Sequence, residues 1–386
     1  MNQIRLGIIG YGNMGSSHAK NIIEGKTPEI ALTAVCDIKE SKRELAKKSL
    51  PSSVAVFSDA EEMMNSQKVD AVLVAVPHYS HPTLSIMAMK RGLHCLCEKP
   101  AGVYTLQVRE MNRVSEECPN VTFAMMFNQR TNPMYIRMKE IVDSGEMGAI
   151  KRVNWIITDW YRTQQYYDSG DWRATWSGEG GGVLLNQCPH QLDLLQWICG
   201  LPKTVSTRMH FGKWHNIEVE DDVTAYLEFE NGATGVFVTS TGDAPGTNRL
   251  ELTMEKGKMV AEGGKLTLWK SKENEREWCF TEQDGFKKPP VEVSQAQLVG
   301  QNTQHIGVLN AFAAHILHGD PLIADGKEGI RGLTLSNAMH LSAFTGKPVS
   351  IPFDEEEYYR LLMEKVKHSR RKETVSESVT NLTGTY

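Results

Sequence analysis

Two short segments carry side chains that could move a proton to or from a hydroxyl group. Lys99 stands between Glu98 and Pro100, directly after the apolar run HCLC. A buried lysine becomes easier to deprotonate and can then donate to or accept from a hydroxyl, whereas an exposed one would simply pair with Glu98. His190 lies three residues before Asp193, a spacing that places both on one helical face, where the carboxylate could fix the imidazole tautomer. The pattern predicts acid–base chemistry, and a packing or capping role for the histidine is the alternative.

The first glycines of the chain have the spacing of a phosphate-binding turn. Gly10, Gly12 and Gly15 form the pattern G-x-G-x-x-G after an apolar strand and before a helix that begins near Met14. The first glycine permits a tight turn, the second lets the backbone approach a pyrophosphate, and the third lets the helix pack closely on the strand. The N–H groups that open the helix, at Asn13 and Met14, would face the phosphates. The sequence therefore predicts a dinucleotide-binding site at this turn.

An acidic residue follows at the distance expected for contact with a ribose. Asp37 ends the next apolar strand, roughly 20 residues beyond Gly15, which is the spacing at which a carboxylate bonds the adenosine ribose hydroxyls. This favours NAD as the cofactor. Lys39, Lys42 or Arg43 could still receive a 2′-phosphate, so NADP remains possible.

A stretch rich in aromatic and charged side chains covers residues 158–176. Aromatic rings can stack on the C–H faces of a sugar ring, while guanidinium and carboxylate groups can bond its hydroxyls. The side chains concerned are those of Trp160, Tyr161, Arg162, Tyr166, Tyr167, Asp171, Trp172 and Arg173. An aromatic edge of a sheet that packs against another subunit is an equally good interpretation.

The composition and the remaining patterns exclude several classes of partner and site. The formal net charge is -5 over 386 residues, so no basic surplus is present to neutralise the phosphates of a nucleic acid. No run approaches the roughly 18 apolar residues of a membrane-spanning helix. Seven cysteines without a C-x-x-C pair predict reduced thiols, and without a signal-peptide pattern we expect a cytoplasmic protein. His78 and His81 have the spacing of metal ligands, but no third ligand is placed, so no metal is predicted.

Hydrophobic patterning predicts the scaffold that would bring these side chains together. Up to about residue 125, apolar strands alternate with helices, which predicts an α/β Rossmann domain with a doubly wound parallel sheet. Ligands of such sheets bind at the carboxyl ends of the strands. The glycine turn, Asp37, Pro77 and Lys99 all fall at those ends.

A different pattern marks the rest of the chain. From about Lys151 onward alternating strands dominate, and Asn231-Gly232 is a hairpin signal between two of them. We therefore predict an α+β domain with a large, mainly antiparallel open sheet, in which a helix over residues 189–199 carries His190. The predicted domains are a dinucleotide-binding domain, a substrate-binding and oligomerisation domain, and a C-terminal helix with a polar tail, at residues 1–125, 126–353 and 354–386.

Together these motifs resemble those of the Gfo/Idh/MocA oxidoreductases, the glucose-fructose oxidoreductase and inositol dehydrogenase group, over nearly the whole chain. The resemblance rests on the order and spacing of Gly10-x-Gly12-x-x-Gly15, Asp37, Pro77 with His81, Glu98-Lys99-Pro100, Asn128 with Arg130 and Pro133, Trp172-Arg173, Gly180 to Gly182, His190-x-x-Asp193, and FAAHILHGDP with Asn337. It implies an NAD(P)-dependent enzyme with a Rossmann domain and a sheet-faced second domain that often builds homodimers or homotetramers. It also implies sugars, cyclitols and their derivatives as substrates.

The resemblance also implies roles for individual residues. Lys99 and His190 match the catalytic lysine and histidine of the family, and Glu98 lies in its nicotinamide-binding strand. Asn186 stands where many dehydrogenases of the family have an aspartate. An amide can bond a sugar hydroxyl but cannot take its proton, so proton transfer would fall to His190 with Lys99 assisting. His78 stands where asparagine is frequent, which would alter the nicotinamide environment.

Three sets of site residues follow from these arguments. The predicted catalytic residues are Lys99, His190 and Asn186. The predicted cofactor-binding residues are Gly10, Gly12, Asn13, Met14, Gly15, Asp37, Pro77, His81, Glu98, Lys99, Asn128, Trp172 and Arg173. The predicted substrate-binding residues are Lys99, Trp160, Arg162, Tyr166, Trp172, Asn186 and His190.

The function predicted from the sequence is hydride transfer between a secondary hydroxyl of a sugar, inositol or related polyol and NAD(P). An alternative in another reaction class returns the hydride to a transient keto sugar, which would make the protein an NAD-assisted glycosidase, lyase or epimerase. A third hypothesis is a sensor that binds the dinucleotide without catalysis. Lys99 and His190 argue against the sensor.

Overall fold

The computed structural model describes residues 3–370, which fold around two β-sheets. The first sheet has six strands, and these are β1 Ile4–Ile9, β2 Ile30–Cys36, β3 Ala55–Phe57, β4 Ala71–Val74, β5 His94–Cys97 and β6 Phe123–Met125. All of them run parallel, in the order β3-β2-β1-β4-β5-β6. The helices between them are α1 Asn13–Ile23, α2 Glu40–Ser49, α3 Ala60–Asn65, α4 Ser80–Lys90 and α5 Thr105–Glu117. The predicted doubly wound sheet is confirmed, and its order reverses between β1 and β4.

Two elements of this part of the chain, β3 and α3, were not predicted from the sequence. The strand has three half-buried residues at the edge of the sheet, too few to give an apolar run. The helix has six residues and is capped by Asp59, whose side chain accepts from the Glu62 N–H at 2.9 Å. Both are shorter than the windows on which hydrophobic periodicity depends.

The second sheet has nine strands and a mixed but mainly antiparallel pairing. Its strands are β7 Ile150–Ile157, β8 Thr204–Phe211, β9 Glu220–Glu228, β10 Thr234–Ser240, β11 Asn248–Met254, β12 Gly257–Glu262, β13 Lys265–Lys270, β14 Glu292–Gln295 and β15 Val349–Ser350. They lie in the order β14-β13-β12-β11-β7-β10-β9-β8-β15, and the parallel pair is β7 with β10. The hairpin predicted at Asn231-Gly232 joins the antiparallel strands β9 and β10. The predicted α+β class is confirmed.

The remaining helices of the described residues begin at Pro133. They are α6 Pro133–Ser144, α7 Gln164–Asp168, α8 Pro189–Cys199, α9 Glu275–Thr281, α10 Gln304–His318, α11 Gly329–Thr345 and α12 Glu355–His368, with 3-10 turns at Asn128–Thr131 and Gly326–Glu328. Inward residues of β9 such as Ala225 and Leu227 are fully buried, whereas Tyr226 between them is exposed. This alternation leaves the opposite face of the sheet open. No helix of residues 3–370 is long and apolar enough to cross a membrane.

Helix α10 connects the two parts of the molecule. Its buried residues Val308, Leu309 and Phe312 share a core with the strand residues Leu6 and Ile8 of the first sheet. The predicted domain boundaries near residues 125 and 353 stay predictions. The predicted polar tail lies mostly outside the described residues.

Candidate active site

The glycine turn between β1 and α1 has the shape that a bound pyrophosphate requires. Gly10 has φ +95°, and a Cβ there would lie 2.3 Å from the Ala75 carbonyl oxygen. A Cβ on Gly15 would lie 1.9 Å from the Gly10 carbonyl oxygen, whereas one on Gly12 would meet no atom within 4 Å. In the described chain no side chain caps the N terminus of α1. The positive end of this helix and the open space at Gly12 fit the phosphates of a dinucleotide.

Two alanine substitutions in this turn should separate folding from cofactor binding. We predict that Gly12→Ala keeps the wild-type thermal stability but weakens NAD binding by about 10-fold or more, because its methyl group projects into the open space. Gly15→Ala should instead destabilise the protein by about 1–3 kcal/mol, because its methyl group overlaps backbone. Calorimetric NAD binding and thermal unfolding of both variants measure this difference. Wild-type NAD affinity in the Gly12 variant would contradict the prediction.

Asp37 places a negative charge at the end of β2, where the ribose is expected. Its oxygens accept from the N–H groups of Tyr11 and Lys39, both at 2.8 Å. Two of the three cations that could serve a 2′-phosphate are engaged elsewhere. Lys39 Nζ lies 3.7 Å from Asp171, and Arg43 donates to the Asp37 and Ile38 carbonyl oxygens. The surroundings of Asp37 thus favour NAD over NADP.

The carboxylate of Asp37 should set this cofactor preference. We predict that Asp37→Asn lowers the preference for NAD over NADP by about 10-fold or more, because an amide accepts weaker hydrogen bonds and does not repel a 2′-phosphate. The ratio of kcat/KM for the two cofactors measures it. Glu40→Gln is a matched control, since it removes an exposed carboxylate at the start of α2. An unchanged ratio of kcat/KM for the two cofactors in the Asp37 variant would show that another residue sets the cofactor preference.

Lys99 lies in the turn after β5, at the same edge of the sheet. Its Nζ donates to the main-chain oxygen of Asn186 at 2.8 Å, so the half-buried side chain is held between the two parts of the molecule. Burial lowers the pKa of Lys99, against the effect of Glu98, which raises it. The ammonium group is therefore easier to deprotonate than that of an exposed lysine.

Glu98, the residue before Lys99, is buried and pairs with a histidine. His18 Nε2 of α1 lies 2.7 Å from Glu98 Oε1. Burial acts to raise the pKa of Glu98, but the hydrogen bond to His18 and the neighbouring positive charges outweigh it and lower that pKa to about 2. The ring of His305 meets the His18 ring edge-on, with centroids 5.3 Å apart. Glu98 is thus a fixed negative charge beside Lys99, and the interpretation of Lys99 as a surface partner of Glu98 is wrong.

His190 stands in the first turn of α8, which begins at Pro189. The imidazole is 2% exposed, and neither ring nitrogen has a hydrogen-bond partner among residues 3–370. Burial, and after it the positive charge of Lys99, lowers the pKa of His190 well below the ordinary value. The ring is therefore neutral at pH 7 and can accept a proton. Since buried polar atoms are normally hydrogen-bonded, its two free nitrogens indicate a ligand site.

The predicted contact between His190 and Asp193 is not formed. Arg130 donates from Nε and Nη2 to Oδ2 and Oδ1 of Asp193, at 2.8 and 2.7 Å, and Gln196 donates to Oδ1 at 3.0 Å. Arg130 also donates to Glu328 Oε2 at 2.8 Å. The planar guanidinium binds both carboxylate oxygens at once, and neither nitrogen of His190 reaches them. Asp193 instead fixes α8, which carries His190, against the turn that carries Arg130.

Tyr166 is the centre of the predicted substrate segment. The guanidinium groups of Arg162 and Arg173 lie 5.1 and 4.6 Å from its ring centroid. Its hydroxyl accepts from Arg173 Nη1 at 2.9 Å and from Gln187 Nε2 at 3.2 Å, and donates to Asn186 Oδ1 at 3.4 Å. The structure therefore brings Tyr166, Arg162 and Arg173 next to Asn186.

The other aromatic and charged residues of this segment divide into two groups. Trp160 lies 5.4 Å from the Arg162 guanidinium, and the Trp172 ring meets the His78 ring edge-on at 5.6 Å. Trp160 and Trp172 are half-buried. Tyr167, in contrast, is buried, with its hydroxyl donating to Thr241, and Asp171 pairs with Lys39. Those two residues have structural partners and do not join the predicted sugar site.

Glu179 is a buried carboxylate at the site that the sequence analysis missed. It is 2% exposed, and its Oε1 accepts from Asn186 Nδ2 while its Oε2 accepts from the Ala174 N–H at 2.6 Å. Burial raises the pKa of Glu179. The residue precedes the glycine run at 180–182, which by itself indicates only that the backbone can be approached closely. No sequence signal distinguishes it from an exposed loop glutamate.

His81 joins two of the turns at this edge of the sheet. Its Nδ1 lies 2.7 Å from the Pro100 oxygen and its Nε2 lies 2.7 Å from the Val76 oxygen, so it fixes the backbone next to Lys99 and next to Pro77. His78 Nδ1 lies 3.2 Å from the main-chain oxygen of Glu179. Within residues 3–370 no group of three or more His, Cys, Asp or Glu side chains is placed to hold a metal ion.

Asn128 follows β6 and is wholly buried. Its Nδ2 donates to Gln304 Oε1, while its Oδ1 has no partner among the described residues. Its predicted contact with the cofactor stays a prediction.

Comparison with known proteins matches both parts of the chain. Residues 4–126 match the oxidoreductase family with an NAD-binding Rossmann fold, and residues 135–260 match the GFO/IDH/MocA C-terminal domain. The chain belongs to the Gfo/Idh/MocA oxidoreductase family. As a member it is an NAD-dependent oxidoreductase, so the predictions of family and cofactor are confirmed.

Several Gfo/Idh/MocA relatives match nearly the whole chain. D-glucoside 3-dehydrogenase of Escherichia coli is 26% identical over 90% of this chain and 97% of its own length. Myo-inositol 2-dehydrogenase of Thermotoga maritima is 25% identical over 87% of this chain and 95% of its own length. The crystal structure of the WlbA dehydrogenase from Chromobacterium violaceum with NADH and UDP-GlcNAcA has a TM-score of 0.78 at 25% identity, covering 92% of this chain and 97% of that one.

Proposed function

We propose that this Gfo/Idh/MocA oxidoreductase oxidises a secondary alcohol of a sugar, glycoside or cyclitol, in which the carbinol carbon loses a hydride and the hydroxyl loses a proton, with His190 as the base and Lys99 as its partner. The observation that carries the proposal is the buried imidazole of His190, whose two nitrogens have no partner in the described chain and whose pKa is lowered by burial. A neutral, unpartnered imidazole next to a cation suits the removal of a hydroxyl proton.

His190 and Lys99 have different roles in the proposed reaction. The neutral imidazole of His190 takes the hydroxyl proton, and Lys99, held by the Asn186 main-chain oxygen, stabilises the negative charge that develops on the substrate oxygen. Bound NAD would supply the hydride acceptor. The glycine turn and Asp37 would hold it, because the open space at Gly12 fits phosphates and the carboxylate lies where a ribose is expected.

The substrate class is proposed from the relatives and from the residues around Tyr166. Relatives named as a D-glucoside 3-dehydrogenase and a myo-inositol 2-dehydrogenase support a ring that bears several hydroxyls. The half-buried rings of Trp160 and Trp172 could stack on such a ring, and Asn186 could bond a hydroxyl. The homodimeric or homotetrameric state stays a proposal, supported by Ile156 and Tyr226, which are exposed on the open face of the sheet.

One assay tests the proposed reaction. The purified protein is given NAD or NADP with a panel of glucosides, free sugars and inositols, while the absorbance of reduced nicotinamide and the products are followed together. We expect NADH to accumulate in step with a keto sugar or keto cyclitol. A product formed without accumulation of NADH would identify the redox-neutral alternative, and NAD binding without turnover of any compound would support the sensor.

A further inference from the structure

The carboxylate of Glu179 is the buried charge at this site for which the proposed reaction has no use. It is 2% exposed and accepts two N–H groups, one from the Asn186 side chain and one from the Ala174 backbone. The positive charge of Arg173 acts on this carboxylate, but within residues 3–370 the two side chains form no direct ion pair. A charge buried without a direct counter-ion is costly, so its retention needs a reason.

The hydrogen bonds around Asn186 have a fixed direction. The Asn186 amide faces Glu179 with its NH2 group, because Nδ2 donates to Glu179 Oε1. The carbonyl oxygen Oδ1 then faces Tyr166. The Tyr166 hydroxyl already accepts from Arg173 and Gln187, so its own hydrogen is available to donate to that oxygen. Each donor in this chain of contacts thus meets an acceptor.

The same asparagine also holds Lys99. Its main-chain oxygen accepts from Lys99 Nζ at 2.8 Å, and its side chain is half-buried, so part of it remains accessible. The contact of Asn186 Oδ1 with Tyr166 is long, at 3.4 Å, and this carbonyl oxygen has a second lone pair. A substrate hydroxyl could donate to it there.

We propose that Glu179 is a positioning residue, which holds the Asn186 amide with its oxygen towards the cleft so that this oxygen accepts a hydrogen bond from a substrate hydroxyl. The inference rests on the proposed function, and it adds a requirement to the substrate. The substrate must carry a hydroxyl that donates at Asn186, besides the one that is oxidised. Glu179 itself touches neither substrate nor cofactor.

An exchange of the two side chains tests this proposal. Asn186→Asp alone sets two carboxylates against each other, so we expect the melting temperature to fall by about 4 °C. Glu179→Gln alone frees the amide to turn, so KM for the polyol should rise on the order of 10-fold while kcat and the affinity for NAD stay near wild type. In the double variant Glu179→Gln/Asn186→Asp, the glutamine NH2 group can donate to the new carboxylate. Both the melting temperature and KM should then return towards wild type, as expected for residues in direct contact.

A control variant and two measured quantities, the melting temperature and KM for the polyol, distinguish the possible outcomes. Glu218→Gln removes a half-buried carboxylate of a neighbouring loop, one that accepts from the Trp176 N–H, and should leave KM for the polyol unchanged. A double variant no more stable than Asn186→Asp would overturn the orientation of the amide. A restored melting temperature with KM unchanged throughout would overturn the role in substrate binding. Failure of the proposed function would look different, because the wild-type protein would then turn over no polyol while the melting temperatures still decide the orientation.

Discussion

Replacement of His190 by alanine is expected to lower kcat for polyol oxidation by about 10²- to 10⁴-fold, the range that a positioned general base contributes. The imidazole is buried, both of its nitrogens lack partners within residues 3–370, and it stands in the first turn of a helix fixed by buried contacts. Truncation breaks no hydrogen bond of this ring within residues 3–370, so the fold and NAD binding should be retained. Single-turnover kinetics measure the loss of catalytic rate. Thermal unfolding and NAD titration of the same variant show whether the fold and cofactor binding are retained.

The exposed His318 at the end of α10 provides a matched control. His318→Ala removes the same side chain far from the cleft and should leave kcat unchanged. A His190→Ala variant that retains kcat within a few-fold of wild type would remove this histidine from the mechanism and leave Lys99 as the candidate base.

The pH profile gives a second test of the same assignment. The pKa of His190 is lowered by burial, so the neutral base persists at pH values at which an ordinary histidine is already protonated. We therefore expect kcat/KM for oxidation to hold its plateau through pH 6.5 and to fall only at lower pH. In His190→Ala the acid limb of the residual activity should no longer follow this group. An acid limb centred at or above pH 6.5 in the wild type would contradict a buried, neutral His190.

Loss of the buried pair between Arg130 and Asp193 is expected to have the largest effect on stability. Arg130→Met leaves the Asp193 carboxylate in the interior without its cation, and breaking a buried pair in this way costs about 3–5 kcal/mol. Because Asp193 lies one turn beyond His190 on α8, activity should fall with the loss of order in that helix. Denaturant unfolding followed by fluorescence measures the free energy of unfolding.

Two comparisons make this prediction specific. Arg137→Met breaks an exposed pair with Glu140 and should cost no more than about 1 kcal/mol. The double variant Arg130→Met/Asp193→Leu removes both charges and should recover much of the loss, because well-packed apolar side chains can replace a buried pair. An Arg130→Met variant as stable as Arg137→Met would mean that this ion pair does not hold α8.

The sequence by itself determined the cofactor domain. The spacing of Gly10, Gly12 and Gly15 and the position of Asp37 depend on contacts within one βαβ unit, so the linear pattern contains them, and the structure places all four at the edge of the sheet. The predicted helix over 189–199 matches α8 residue for residue, because Pro189 and Gly200 mark its ends in the sequence. Elements with local signals were predictable.

Only the tertiary structure decided the partners of the buried charges. Asp193 shares a helical face with His190, yet its carboxylate binds Arg130 from a distant turn, and no local spacing reports which buried cation lies nearest. Glu179 is a partner of Asn186 because packing buries its carboxylate, and buried polar atoms need hydrogen-bond partners. Hydrogen bonds within one element follow from periodicity. Hydrogen bonds between elements depend on how the two sheets and α8 pack together, and the spacing of residues along the chain does not predict that packing.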